Sequence, residues 1–253
     1  MPLVLATTTE SPGSLGEPEI FASLQGEGPS AGKPCAFVRL SRCNLACVWC
    51  DTAYTWRFEG EDRPHRSGES YERAANQVTL SEEQTATRIA ALGKPRLVVT
   101  GGEPLLQAAA LARLLAQLRS GLPGMAIEIE TNGTVAPPPA LDALVHQYNV
   151  SPKLAHSGNP ADLALIPERL AHWAAEPRAF LKFVIAEPSD VDEVLGLASQ
   201  FAIPRERIYL MAEGTDPATL AAREHWLAQL CLDRNLTLSK RLHIELYGDE
   251  RGT

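Results

Sequence analysis

The chain contains no run of eighteen or more apolar residues, so no membrane-spanning helix is expected. Nor does it contain any Lys/Arg-rich run, and its formal net charge is −8. That balance lacks the electrostatic footprint of a nucleic-acid binder and points to a small-molecule substrate or a protein partner. The first residues, MPLVLATTTESPGSLGEPE, have neither a basic start nor a long apolar stretch. No secretory leader is expected, and the expected location is the cytoplasm. Cysteine is scarce, with five among 253 residues. An odd number with four crowded between positions 35 and 50 does not make a disulfide framework. In a reducing compartment such a cluster reads as metal ligands or redox groups.

What is present is 45% apolar content, enough for one sizeable core and a single domain over residues 1–253. Residues 1–17 read as a loose N-terminal arm. Residues 36–41 (AFVRLS) read as a buried strand that feeds the cysteine loop, and residues 57–77 as a charged, solvated insertion without periodicity. Beyond them the pattern alternates. A capping signal at Thr79 and Glu82 opens a helix to about Leu92. Strands are expected at 96–100, 126–130, 148–151, 179–185 and 207–212. Helices are expected near 163–173, 189–201 and 217–233, and around Leu111, Leu114, Leu115 and Leu118, which share one helical face. A last strand is expected at 241–248. The fold class is therefore α/β, a partial β/α barrel of about six parallel strands with its polar motifs at the C-terminal strand ends.

Three thiols stand on one short loop in Cys43-x3-Cys47-x2-Cys50. Thiolates are the usual holders of iron–sulfur clusters, and three ligands on a four-iron cube leave one iron open. The spacing, with aromatic Trp49 before the last cysteine, resembles the radical S-adenosylmethionine (SAM) superfamily. The resemblance implies a 4Fe-4S cluster whose open iron is chelated by SAM. Two other readings stand beside it: a zinc site with Cys35 as fourth ligand, and a closed four-cysteine electron-transfer cluster. Cys35 and Cys231 themselves read as small buried apolar residues. Gly101, Gly102 and Glu103, followed by Pro104, end a β-branched strand and resemble the motif for the SAM amino group. Glu130 ends the next strand, where acceptors suit ribose hydroxyls, and Ser151, Pro152 and Lys153 end the one after, suited to a carboxylate. Trp49 and Asp51 complete the set assigned to SAM.

The segments EIFASLQGEGPSAGKP, VRLSRCNLACVWCDT, VSPK and RLHIELYGDERGT together resemble the 7-carboxy-7-deazaguanine synthase family. That resemblance implies conversion of 6-carboxy-5,6,7,8-tetrahydropterin to 7-carboxy-7-deazaguanine with loss of ammonia, in queuosine and 7-deazapurine synthesis. It implies a carbon–nitrogen lyase in which SAM acts as a cofactor and Mg²⁺ is bound by the Thr52 hydroxyl. Leu24, Gln25, Gly26, Glu27, Arg39, Thr100, His243 and Thr253 are then the substrate-binding residues, with Arg39 suited to a carboxylate. A reductant such as flavodoxin or ferredoxin, and a homodimer, are further implications. The competing assignments are a glycyl-radical activating enzyme, which has no use for LQGEG, Arg39 or CDT, and a non-catalytic iron–sulfur or zinc protein, which has none for GGEP or SPK.

Overall fold

The computed structural model of the protein describes residues 2–8 and 16–253. Among these, ten strands form one sheet: β1 (Leu3–Ala6), β2 (Ile20–Leu24), β3 (Pro34–Leu40), β4 (Gln77–Leu80), β5 (Arg96–Gly101), β6 (Ala126–Thr131), β7 (Gln147–Val150), β8 (Ala179–Ile185), β9 (Ile208–Ala212) and β10 (Thr237–Ser239). The order is β10-β9-β8-β7-β6-β5-β3-β1-β4, and β2 pairs antiparallel with β3. From β3 through β10 all neighbours on this path are parallel. Most of these strands are joined through helices, as parallel neighbours require. The expected partial β/α barrel is the architecture observed.

Period-two alternation sets the two faces of this sheet. In β6 Ile127 and Ile129 enter the core beneath the helices, as do Leu181, Phe183 and Ile185 in β8. The intervening residues, Glu128 and Glu130 in β6 and Lys182 in β8, point to the concave side. Leu111, Leu114, Leu115 and Leu118 of the helix Ala108–Gly121 are buried against the convex side. Each stabilises the fold by about 1.5–3 kcal/mol relative to an exposed position. One face is thus apolar and helix-covered, and the other is an inner wall of strand-borne polar groups.

Four expectations about the elements need correction. Residues 3–6 are a fully buried strand between β3 and β4, not part of a loose arm; most of the remainder of that segment, residues 9–15, lies outside the described residues. The helix Glu82–Ala91 is capped by Ser81 and Gln84, whose side chains each meet the other's backbone N–H, rather than by Thr79 and Glu82. The helix foreseen at 163–173 is broken into Ala161–Ala164 and Pro167–Ala175, because Pro167 suits a first helical turn and not an interior. Residues 241–248 form no strand; Leu242–Tyr247 is a helix, and the parallel edge is taken by β10. The alternation L-H-I-E-L predicts three buried residues on one side, but Leu246 is exposed and Ile244 alone is buried.

Candidate active site

The chain leaves β3 through Arg42, whose positive φ of 79° turns it sharply into the cysteine loop. The thiols of Cys43, Cys47 and Cys50 border a cavity of about 400 Å³ at the C-terminal strand ends. Each meets at least one N–H donor: Cys43 the Leu45 backbone at 3.4 Å and Asn132 Nδ2 at 3.8 Å, Cys47 Asn159 Nδ2 at 3.3 Å, and Cys50 Trp56 Nε1 at 3.3 Å. Neutral thiols are weak acceptors, so converging donors fit sulfurs that carry charge, as metal-bound thiolates do. Burial pushes the Cys43 thiol up to about 12 and Cys50 to about 11, and a bound metal would favour their thiolates. No three His, Cys, Asp or Glu side chains among the described residues converge tightly enough for a single ion. Cys35 packs with Phe37 and Val98, and its thiol faces Ser23 O at 3.5 Å.

Gly101 and Gly102 press the end of β5 onto this loop. A Cβ on Gly101, at φ +133°, would lie 1.9 Å from Leu40 O. The contact is locked by Gly102 N donating to Leu40 O at 3.0 Å and Glu103 N to Arg42 O at 2.8 Å. Glu103 does not face the cavity. Its carboxylate is fully buried and accepts from Leu105 N, Thr131 Oγ1 and Asn132 N at 2.7–2.9 Å. It orients Asn132, a Cys43 donor, and burial raises its pKa to about 7. Pro152 is also buried away from the cavity, whereas Ser151, Lys153, Trp49 and Asp51 border it. Lys153 Nζ donates to Ser151 Oγ at 2.8 Å and lies 5.6 Å from the Trp49 ring centre.

The rest of the cavity wall is a connected polar network. Gln25 Nε2 donates to Glu130 Oε1 at 3.2 Å, and Thr100 Oγ1 to Glu130 Oε2 at 2.9 Å. Glu130, expected at a ribose, is therefore engaged with two residues assigned to the other ligand. Glu27 pairs with Lys182 and with Arg241 Nε at 3.3 Å, while His243 Nε2 stands 4.0 Å away. Burial works against the charged form of Glu27, but Lys182 and Arg241 outweigh it and hold the carboxyl well below the carboxylate range. Burial lowers the His243 pKa, favouring the neutral ring. Arg241 also pairs with Asp51, tying this wall to the cysteine loop. Gly26 packs directly against His243, since a Cβ there would fall 2.2 Å from His243 Nδ1. Leu242 N donates to Gly26 O at 2.9 Å, which seats the C-terminal helix on the LQGEG loop. Arg39 Nε donates to Glu19 Oε1 at 2.7 Å, and Tyr54 OH to Glu19 Oε2 at 2.9 Å. Leu24, Thr52 and Thr253 also border the cavity.

Residues 57–77 are largely exposed, as their charge suggests, but the segment also touches the cysteine loop. Arg63 donates to Trp56 O at 2.7 Å and Cys43 O at 3.4 Å, His65 Nε2 meets Cys50 O at 2.8 Å, and Arg66 N donates to Val48 O at 2.8 Å. The side chains of Arg63 and His65 serve carbonyls at the cysteine loop, which a charge count alone reads as solvation.

The 7-carboxy-7-deazaguanine synthase of Pyrobaculum aerophilum is 37% identical to this chain over 92% of its length and 95% of the relative's. The chain belongs to the 7-carboxy-7-deazaguanine synthase family. The relatives from Hyperthermus butylicus and Halobacterium salinarum agree, at 36% and 34% identity over 89% and 91% of the chain and 90% of each relative. Residues 38–153 match the radical SAM superfamily. Among solved structures, QueE from Escherichia coli superposes with a TM-score of 0.62 at 24% identity over 95% of both chains, which supports the fold. Streptococcus suis SuiB bound to precursor peptide SuiA matches with a TM-score of 0.53 at 13% identity, over 81% of this chain and 47% of its own.

As a radical SAM enzyme of the 7-carboxy-7-deazaguanine synthase family, the chain is expected to carry a 4Fe-4S cluster and SAM, and the donors around Cys43, Cys47 and Cys50 fit that group. Sequence reasoning missed Lys182, Arg241, Glu19, Tyr54, Trp56 and Asn159. For Lys182 a signal existed: a lone lysine inside AFLKFVI must point away from the helices, into the cavity. Glu19 and Arg241 open two of the family-like segments but carry no local pattern of their own. No helix among the described residues is long and apolar enough to cross a membrane.

Proposed function

We propose that this cavity contracts the ring of 6-carboxy-5,6,7,8-tetrahydropterin to 7-carboxy-7-deazaguanine with release of ammonia, a carbon–nitrogen lyase reaction. The carrying observation is that one cavity joins the three-thiol loop to the Gln25–Glu27–Glu130–Lys182 wall. A pterin presents amino and ring N–H donors beside a carbonyl acceptor. Ionised Glu27 accepts from the donors, Lys182 offers a cation to the carbonyl, and the Gln25 amide matches either. Arg39, anchored by Glu19, suits the substrate carboxylate. Glu130 belongs on this side, set by Thr100 and Gln25. Neutral His243, clamped onto Gly26, donates or accepts without adding charge. When bound, the cluster and SAM supply a carbon radical able to take hydrogen from the pterin C6. Ser151 and Lys153 then hold the SAM carboxylate, and Trp49 borders its site.

Mg²⁺ is part of the proposal, with the Thr52 hydroxyl as its protein ligand and the substrate carboxylate and water completing a hard-oxygen shell. A one-electron reductant of the flavodoxin or ferredoxin type, a homodimer and a cytoplasmic setting complete it. Anaerobically reconstituted protein given SAM, reductant, Mg²⁺ and the carboxylated pterin should release ammonia and a 7-deazapurine. SAM cleavage with the pterin untouched would overturn the substrate. Thr52→Ala should raise the Mg²⁺ needed for half-activity about tenfold, equivalent to about 1.4 kcal/mol of binding, with the cluster absorbance intact; an unchanged Mg²⁺ response would remove Thr52 from the site.

A further inference from the structure

The indole of Trp56 is 2% exposed and its Nε1–H donates to Cys50 Sγ at 3.3 Å. Its surroundings come from the charged segment that follows. The Arg63 guanidinium lies 4.6 Å from the indole ring centre, and its Nη2 donates to Trp56 O at 2.7 Å. Glu61 Oε2 also accepts from Arg63, from Nη2 at 2.6 Å and Nε at 3.1 Å. His65 stands edge-on to the indole, ring centres 6.3 Å apart. Its Nε2 faces Cys50 O at 2.8 Å, an acceptor only, so Nε2 carries the proton; Nδ1 is turned to Ser67 Oγ at 2.8 Å. The same cysteine is thus gripped at its sulfur by Trp56 and at its carbonyl by His65.

We propose that Trp56 sets the reduction potential of the cluster through its hydrogen bond to the Cys50 sulfur, with Arg63 and His65 as the positioning residues that aim it. A reduced cluster carries more negative charge on its sulfurs than an oxidised one. An N–H donor at the thiolate therefore stabilises the reduced form more and raises the potential. The buried setting strengthens the bond, because water does not compete for the sulfur. A cation over the indole face withdraws electron density and makes the N–H a better donor. Through Arg63 and His65 the segment 57–77 tunes how readily the enzyme accepts its electron. This depends on the cluster and not on the identity of the substrate.

A spectroscopic redox titration of the anaerobically reconstituted enzyme, without SAM or substrate, tests this role. Trp56→Phe keeps the aromatic packing and removes the donor. It is expected to hold full iron and sulfide and to shift the reduction equilibrium about tenfold toward the oxidised form, about 59 mV more negative for a one-electron couple. Arg63→Met should shift it the same way by less. An unchanged potential in fully loaded Trp56→Phe overturns the proposal, and so does a folded Trp56→Phe that retains no cluster, since Trp56 would then hold rather than tune. Should Trp56→Phe not fold, Arg63→Met decides alone: a negative shift supports tuning and an unchanged potential refutes it. A pterin assay that failed while these shifts appeared would count against the substrate alone.

Discussion

Gly101→Ala is expected to empty the cluster site without touching a cysteine. The added Cβ would lie 1.9 Å from Leu40 O and 2.5 Å from Leu40 N, both backbone atoms that no rotamer change relieves. At φ +133° an alanine is strained even before that contact. Strain and overpacking together cost about 3 kcal/mol or more. Relief comes only by separating the end of β5 from the end of β3, which breaks the bonds from Gly102 N to Leu40 O and from Glu103 N to Arg42 O. Cys43 follows Arg42 directly, so its sulfur moves with that displacement, and the Glu103–Asn132 support behind it moves as well. After anaerobic reconstitution the variant should hold less than about a tenth of the wild-type iron and show a melting temperature lower by roughly 5 °C or more for a chain of this size. Wild-type iron content with an unchanged melting temperature would show that the glycine is not what seats the loop.

Lys182→Met should cripple substrate turnover and also change how the protein responds to acid. The Lys182 and Glu27 side chains are 8% and 12% exposed, so this is a buried ion pair. Removing one member of such a pair costs about 3–5 kcal/mol, and Arg241, still beside Glu27, keeps the loss toward the low end. In the wild type the Glu27 carboxyl titrates well below its ordinary 4.5. A carboxyl depressed on folding contributes stability that is complete above the unfolded value and drains as pH falls toward the folded one. The wild type should therefore lose stability steadily below about pH 5. Without Lys182, burial lifts the Glu27 pKa, so the variant is weaker at neutral pH and its acid-side loss is shallower. The acid limb of its kcat/KM profile should move to higher pH, and Lys182→Arg should recover part of the activity. Parallel stability–pH curves for the two proteins would mean that Lys182 does not govern the ionisation of Glu27.

The parts of this site that were legible in the chain are those whose chemistry is local. Cys43, Cys47 and Cys50 lie within eight residues, and the Gly101–Gly102 pair directly ends a β-branched strand. What escaped are partnerships made across the barrel. Lys182 meets Glu27 over 155 positions, and Arg241 meets Asp51 over 190. Neither half announces the other. Glu103 was legible as a motif residue but not as a buried one, because its three donors are supplied by Leu105 and by the end of β6. The strand at Leu3–Ala6 is four residues long, too short for alternation to show, and it becomes a strand by pairing with β4 far along the chain. Leu242–Tyr247 satisfies both a two-residue and a helical period over six positions, and the seat offered by Gly26 decides between them. Arg63 and His65 read as solvated charges because their targets are backbone carbonyls, which leave no trace in composition.

The central claim is that a radical made at the three-cysteine loop acts on a pterin held by the Glu27–Glu130 wall. The most direct test uses 6-carboxytetrahydropterin carrying deuterium at C6, incubated anaerobically with the reconstituted enzyme, SAM, reductant and Mg²⁺. The prediction is that deuterium appears in the recovered SAM while 7-carboxy-7-deazaguanine and ammonia accumulate. Cleavage of SAM with no deuterium transferred and the pterin recovered unchanged would contradict it.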